Sequence, residues 1–230
     1  MVRVLAVADE VVESLTFGVG LDAKPDVILG AGDLPFDYLE VLSELCDAPC
    51  VFVPGNHDRD LHGYREGRGG WTRAGLPTSN PGPNGAVNAD GRTVTVGGLR
   101  ISGLGGSRRY NPGPNQYTDT QQRLRGWRLR CTAALTRGDA RPDILLTHSP
   151  ARGVGDADDA CHRGFDCFHP LIRSLDPTLL VHGHVHPYGR SPRDRMVGEA
   201  TISMNVVGYC EFDIEPGTRE FEVVRRRHGA

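Results

Sequence analysis

Val51-Phe52-Val53-Pro54-Gly55-Asn56-His57-Asp58 is the stretch whose reading decides the fold. An apolar run of strand character stops at Pro54-Gly55, a pair that turns the chain because glycine accepts backbone angles other residues resist. The turn leaves an amide oxygen, an imidazole and a carboxylate at the carboxyl end of the strand. In α/β sheets that edge is where ligands bind. Taken alone, the tetrapeptide Gly55-Asn56-His57-Asp58 also fits a polar turn with no further task.

Working outward, the same pattern recurs. Asp9 ends the run Val2–Ala8, and Asp33 follows the apolar segment 26–31. His148 follows Ile144-Leu145-Leu146-Thr147, and His184 and His186 follow Leu179-Leu180-Val181-His182-Gly183. Parallel strands would gather these ends along one sheet edge into a pocket rich in oxygen and nitrogen donors. Such donors suit divalent ions. Alternation along the extended Gly-His-Val-His segment points His184 and His186 to the same side. His182 shares their parity but lies deeper, which fits a hydrogen-bonded structural histidine. His62, His162, His169 and His228 read as surface or loop residues.

The set Asp9, Gly32-Asp33, Gly55-Asn56-His57-Asp58, His148 and Gly183-His184-Val185-His186 resembles the calcineurin-like metallophosphoesterase superfamily. The resemblance implies an α/β fold, a four-layer α/β/β/α sandwich of two mixed sheets flanked by helices, in a single domain over 1–230. It implies one or two divalent metal ions per chain, Mn, Fe, Zn or Mg. Asp33 would bridge the two positions. Asp9 and His186 would complete the first, and Asn56, His148 and His184 the second. The implied reaction is hydrolysis of a phosphodiester or phosphomonoester by a metal-bound hydroxide. His57 would act as a catalytic residue on the leaving group, and Asp58 would either orient His57 or brace the turn. The chain departs from the family at its first motif, usually Asp-x-His, which here reads Asp9-Glu10-Val11. Valine cannot bind a metal, so the first position has Asp9, Asp33, His186 and water, unless Glu10 or Glu13 compensates. That departure keeps a second reading open, a non-catalytic scaffold or binding protein retaining the fold.

The whole chain sets limits. At 230 residues there is room for a substantial core. A net charge of −3 gives no support to general nucleic-acid or membrane-surface binding. The sequence has no long apolar run and no cleavable signal pattern, so a cytoplasmic protein is expected. The six cysteines read as reduced, mostly buried thiols, with a Cys161–Cys167 disulfide or metal clip as the other option.

Periodicity supplies the elements. Strands are expected over 2–8, 26–31 and 51–53, with a helix over about 36–46 burying Phe36, Leu39, Val41, Leu42 and Leu45. Residues 12–22 read as a short helix or loop, and 59–91 as a long loop. A hairpin is expected over 93–102 around Gly97-Gly98. Gly103-Leu104-Gly105-Gly106-Ser107 lacks the ending of a phosphate-binding loop and reads as a flexible turn. A helix from Thr118 to about Leu135 would bury Leu124, Trp127, Cys131 and Leu135, its arginines facing solvent. Strand, helix and strand follow at 143–147, 165–174 and 178–182, with β-rich pieces near 201–213 and 219–224. Two arginines are candidate substrate contacts. Arg109 follows the glycine-rich turn, and Arg163 lies between the histidine motifs as a phosphate clamp or a plain surface residue. The expected partner is a small phosphate ester, a nucleotide among the candidates.

Overall fold

Alternation along Val2–Ala8 fixes where the layers lie. Val4, Ala6 and Ala8 face one hydrophobic cluster, and Leu5 and Val7 face another on the opposite side of the strand. A strand buried on both faces belongs to the interior of a layered α/β structure. The computed structural model describes residues 1–21, 23–137, 141–188 and 193–228.

The first part of the chain forms β1 (Val2–Ala8), α1 (Glu13–Thr16), β2 (Val27–Gly30), α2 (Phe36–Cys46) and β3 (Cys50–Phe52). Next come β4 (Tyr64–Gly67), β5 (Gly70–Arg73), β6 (Leu76–Thr78), β7 (Val87–Asn88), β8 (Thr93–Val96) and β9 (Leu99–Leu104). They are followed by β10 (Ser107–Arg108), β11 (Gln116–Tyr117), α3 (Asp119–Arg137), β12 (Ile144–Thr147), α4 (Phe168–Leu175) and β13 (Leu179–His182). The last elements are β14 (Arg195–Val197), β15 (Thr201–Asn205), β16 (Gly208–Ile214) and β17 (Phe221–Arg227).

Two six-stranded sheets result, ordered β17-β16-β1-β2-β3-β7 and β14-β15-β13-β12-β9-β8. Both are mixed. In the first, β1, β2, β3 and β7 are parallel and β16 and β17 run against their neighbours. In the second, β9, β12, β13 and β15 are parallel and the edges β8 and β14 are antiparallel. The sheets pack face to face through Val4, Val27, Val51, Ile101, Ile144 and Val181, with further apolar residues around them. Helix α2 covers the outer face of the first sheet, and α3 and α4 supply residues to the cluster on the outer face of the second. This is the expected α/β/β/α sandwich of two mixed sheets. No described helix is long and apolar enough to cross a membrane.

Several local expectations need correction. In α2 the buried residues are Tyr38, Leu39, Leu42 and Cys46, while Val41 and Leu45 lie on the adjoining exposed face. In α3 the buried stripe is Gln122, Gly126, Leu129 and Ala133, with Leu124 and Trp127 exposed; the side chain expected at Leu135 lies outside the described ones. That stripe contains a glutamine, held by the Gly105 carbonyl, and a glycine packed on Leu171, so hydrophobicity alone did not mark it. Nor is Arg125 solvated, since both oxygens of Asp90 lie 2.6 Å from its Nη2. Residues 59–91 include an antiparallel three-stranded sheet, β4-β5-β6. Gly105 is buried and tightly packed rather than in a free turn, because a Cβ there would lie 2.4 Å from the Pro54 carbonyl oxygen. All six cysteines are free, so Cys161 and Cys167 form no disulfide.

Candidate metal centre

The carboxyl ends of β1, β2, β3, β12 and β13 deliver Asp9, Asp33, Asn56, His148 and His184 to one place. Asp9, Asp33 and His184 have left-handed backbones, with φ of 60°, 56° and 70°. Non-glycine residues adopt this conformation at a cost that surrounding structure must offset, and such residues cluster at functional sites. Two glycines let the motifs close on each other. A Cβ on Gly55 would fall 2.0 Å from Asp33 Oδ1, and one on Gly183 would fall 2.2 Å from Asp9 Oδ2.

Asp9, Asp33, His148 and His184 each offer a ligand atom within 4.8 Å of the others. His148 is fully buried, with Nδ1 at 2.8 Å from the Ala31 carbonyl oxygen. Its Nε2 lies 3.3 Å from Asp33 Oδ2 and 3.0 Å from Asn56 Oδ1. Burial opposes a charge on this ring, but Asp33, Asp9 and the Ala31 carbonyl outweigh it and raise the pKa to about 9. The proton on Nε2 therefore sits among a carboxylate oxygen and an amide oxygen, where a cation would find its ligands. With two carboxylates, one amide oxygen and two imidazoles, the donor set fits a divalent metal.

The neighbours of these groups fix their orientation. Burial would raise Asp33, but the imidazoles of His148 and His57 and the bond from the His57 backbone N–H bring its pKa down to about 2. Burial pushes Asp9 up to about 6, against the pull of His148 and the His184 backbone N–H, which donates to its Oδ2 at 2.8 Å. Burial, and then His148, hold His184 down to about 3. Its Nε2 lies 2.6 Å from the Cys161 carbonyl oxygen, which leaves Nδ1 free to act as a ligand. Asn56 Nδ2 donates to the Tyr110 hydroxyl at 3.1 Å, turning the amide oxygen toward His148.

Other expected site residues stand differently. His186 is outside the four-residue group, with Nδ1 3.0 Å from Glu10 Oε1 and the side chain 36% exposed. Asp58 makes no hydrogen bond to His57 among the described residues. Its Oδ2 instead accepts from the backbone N–H groups of Gly55 at 2.7 Å and Asp33 at 3.0 Å, bracing the turn. His57 is exposed and shares a cleft of about 290 Å³ with Asp33 and Arg59. Neither Arg109 nor Arg163 lines that cleft. Arg109 donates to the Gln116 carbonyl at 3.3 Å, and Arg163 is exposed and makes no hydrogen bond or ion pair among the described residues. His182 is a buried structural histidine as expected, with Nδ1 3.1 Å from the Gly183 carbonyl oxygen and its pKa lowered to about 4 by burial.

A family model for calcineurin-like phosphoesterases matches residues 5–188. The chain belongs to this family. Its fold is similar to that of TT1561 of Thermus thermophilus, at a TM-score of 0.60 and 17% identity, covering 98% of this chain and 99% of that one. A second solved structure is similar at a TM-score of 0.61 and 15% identity, covering 91% and 93%. At these identities the likeness is one of fold. No curated protein matches the sequence. In this chain, Tyr110, Arg59 and the Cys161 carbonyl are site groups that sequence reading missed as such, and Glu10, expected only as a stand-in metal ligand, lies against His186. Arg59 directly follows the Gly-Asn-His-Asp motif and Glu10 directly follows Asp9, which are signals of position. A backbone carbonyl leaves no signal in the sequence.

Proposed function

We propose that the chain is a metal-dependent hydrolase of small phosphate esters, with a phosphodiester or nucleotide as the preferred class. The observation that carries this reading is the convergence of Asp9, Asp33, His148 and His184 within 4.8 Å, with the Asn56 oxygen against His148. Asp33, Asn56, His148 and His184 would hold one divalent ion, manganese being the first candidate. Asp9, Asp33 and His186 would hold a second. Bound there, such ions supply Lewis-acid stabilisation of phosphoryl charge and lower the pKa of water.

The remaining work falls to the chain's own side chains. The imidazole of His57, exposed beside Asp33, donates a proton to the leaving oxygen. Arg59, in the same cleft, faces the phosphate with a guanidinium. Asp58 keeps the turn under both groups rigid through the Gly55 and Asp33 amides. Six free thiols support a reducing, cytoplasmic setting.

One observation favours a second reading, a scaffold that retains the fold. Val11 stands where the family has a histidine, and His186 is engaged by Glu10. Hydrolysis of bis-p-nitrophenyl phosphate and p-nitrophenyl phosphate with added Mn separates the two. Turnover that is lost in Asp33→Ala and His57→Ala supports the enzyme. Turnover that survives Asp33→Ala, or none under any divalent metal, rejects it.

A further inference from the structure

A cavity of about 780 Å³ opens beside the metal centre, with His186 and His182 in its wall. This size falls in the range of small-molecule sites, roughly 300–1,000 Å³. Its floor carries a polar group with nothing to bind. Ser203 is 4% exposed, and its Oγ has no hydrogen-bond partner among the described residues. A buried, unpaired hydroxyl is costly and calls for a ligand or solvent partner. His182 adds an imidazole to the wall. Its Nδ1 is taken by the Gly183 carbonyl, while Nε2 faces Gly155, another wall residue, 3.6 Å from where a Cβ would stand.

The rim is cationic. Arg193 and Arg195 line the cavity, are exposed, and make no ion pair among the described residues. Asp156 is the one carboxylate in the lining, and its charge is already engaged. Its Oδ2 accepts from Arg152 at 2.6 Å and Gly164 N at 3.0 Å, and its Oδ1 from Gly153 N at 2.8 Å. Val154, Val185 and Pro187 complete an apolar wall suited to the face of a sugar or base.

We infer that this cavity is a leaving-group subsite for a hydroxyl-bearing moiety that carries a second phosphate, read by Arg193 and Arg195 at the rim and Ser203 at the floor. The inference rests on the phosphoesterase reading, since His186 joins the cavity to the metal centre. It narrows the substrate to a bisphosphorylated compound such as a nucleoside bisphosphate.

The test compares adenosine 3′,5′-bisphosphate with adenosine 5′-monophosphate as inhibitors of chromogenic ester hydrolysis by the Mn-loaded chain. If no ester is hydrolysed, the enzymatic reading fails by itself, and calorimetric titration with the same two nucleotides still decides the subsite. The bisphosphate should bind about tenfold more tightly, the ratio one charge-assisted hydrogen bond provides. The double variant Arg193→Ala, Arg195→Ala should bring the two affinities together, and Ser203→Ala should weaken both nucleotides alike. Equal affinities in the unaltered chain, or a ratio that survives loss of both arginines, would overturn the inference.

Discussion

Asp33, Asn56, His148 and His184 form one flank of the centre, and Glu10, Val11 and His186 form the other. The first flank is interlocked. His148 is fully buried, Asn56 is 3% and His184 6% exposed, and each ring or amide has a second partner that fixes it. The second flank is open, with Val11 46% exposed and the His186 side chain 36% exposed against Glu10. Preorganised ligands lose little freedom on binding a cation, whereas His186 must first leave a carboxylate. The two halves of one site should therefore bind metal with unequal strength, and the buried flank should lead.

The sharpest way to break this comparison is to remove one ligand from each flank. His184→Ala should weaken the tighter Mn binding event by more than about a hundredfold in calorimetry. His186→Ala should leave that event and remove only the weaker one. Equal losses in the two variants would erase the distinction.

A second prediction concerns the metal-free chain. The His148 pKa is raised from 6.5 to about 9, so its stabilising effect is complete below pH 6.5 and is lost as pH rises through about 9. That loss is capped at about 3 kcal/mol. Thermal unfolding of the metal-free chain should weaken over this interval. With Mn present the trend should reverse, because the ion competes with the His148 proton. A flat metal-free profile from pH 6.5 to 9 would show that His148 is not held as an imidazolium.

The smallest effect is expected on the open flank. Val11→His restores the family's imidazole at a half-exposed position, so folding should be little affected. It should tighten the weaker Mn event by about tenfold, as one added ligand contact does. An unchanged weaker event would mean that the backbone at Val11 directs its side chain away from the centre.

The layered fold was legible because its strands are short, mostly apolar and followed by ligand residues. β1, β2, β12 and β13 each carry that signature. The buried flank was legible for the same reason, since each of its ligands closely follows an apolar run. Elsewhere the decisive contacts are non-local. Tyr110 reaches Asn56 across 54 positions of sequence, and Glu10 reaches His186 across 176. The role of Asp58 was open between two readings because a carboxylate near an imidazole and near backbone amides looks the same in sequence. The α3 stripe was misread because Gln122 and Gly126 are buried by a hydrogen bond and by close packing, neither of which is hydrophobicity.

The most direct test of the account is anomalous scattering from crystals of the chain loaded with limiting Mn. The account predicts a strong peak within coordination distance of Asp33, Asn56, His148 and His184, and a weaker one, growing with added metal, near Asp9 and His186. No peak at the first set, or two peaks of equal height at trace metal, would contradict it.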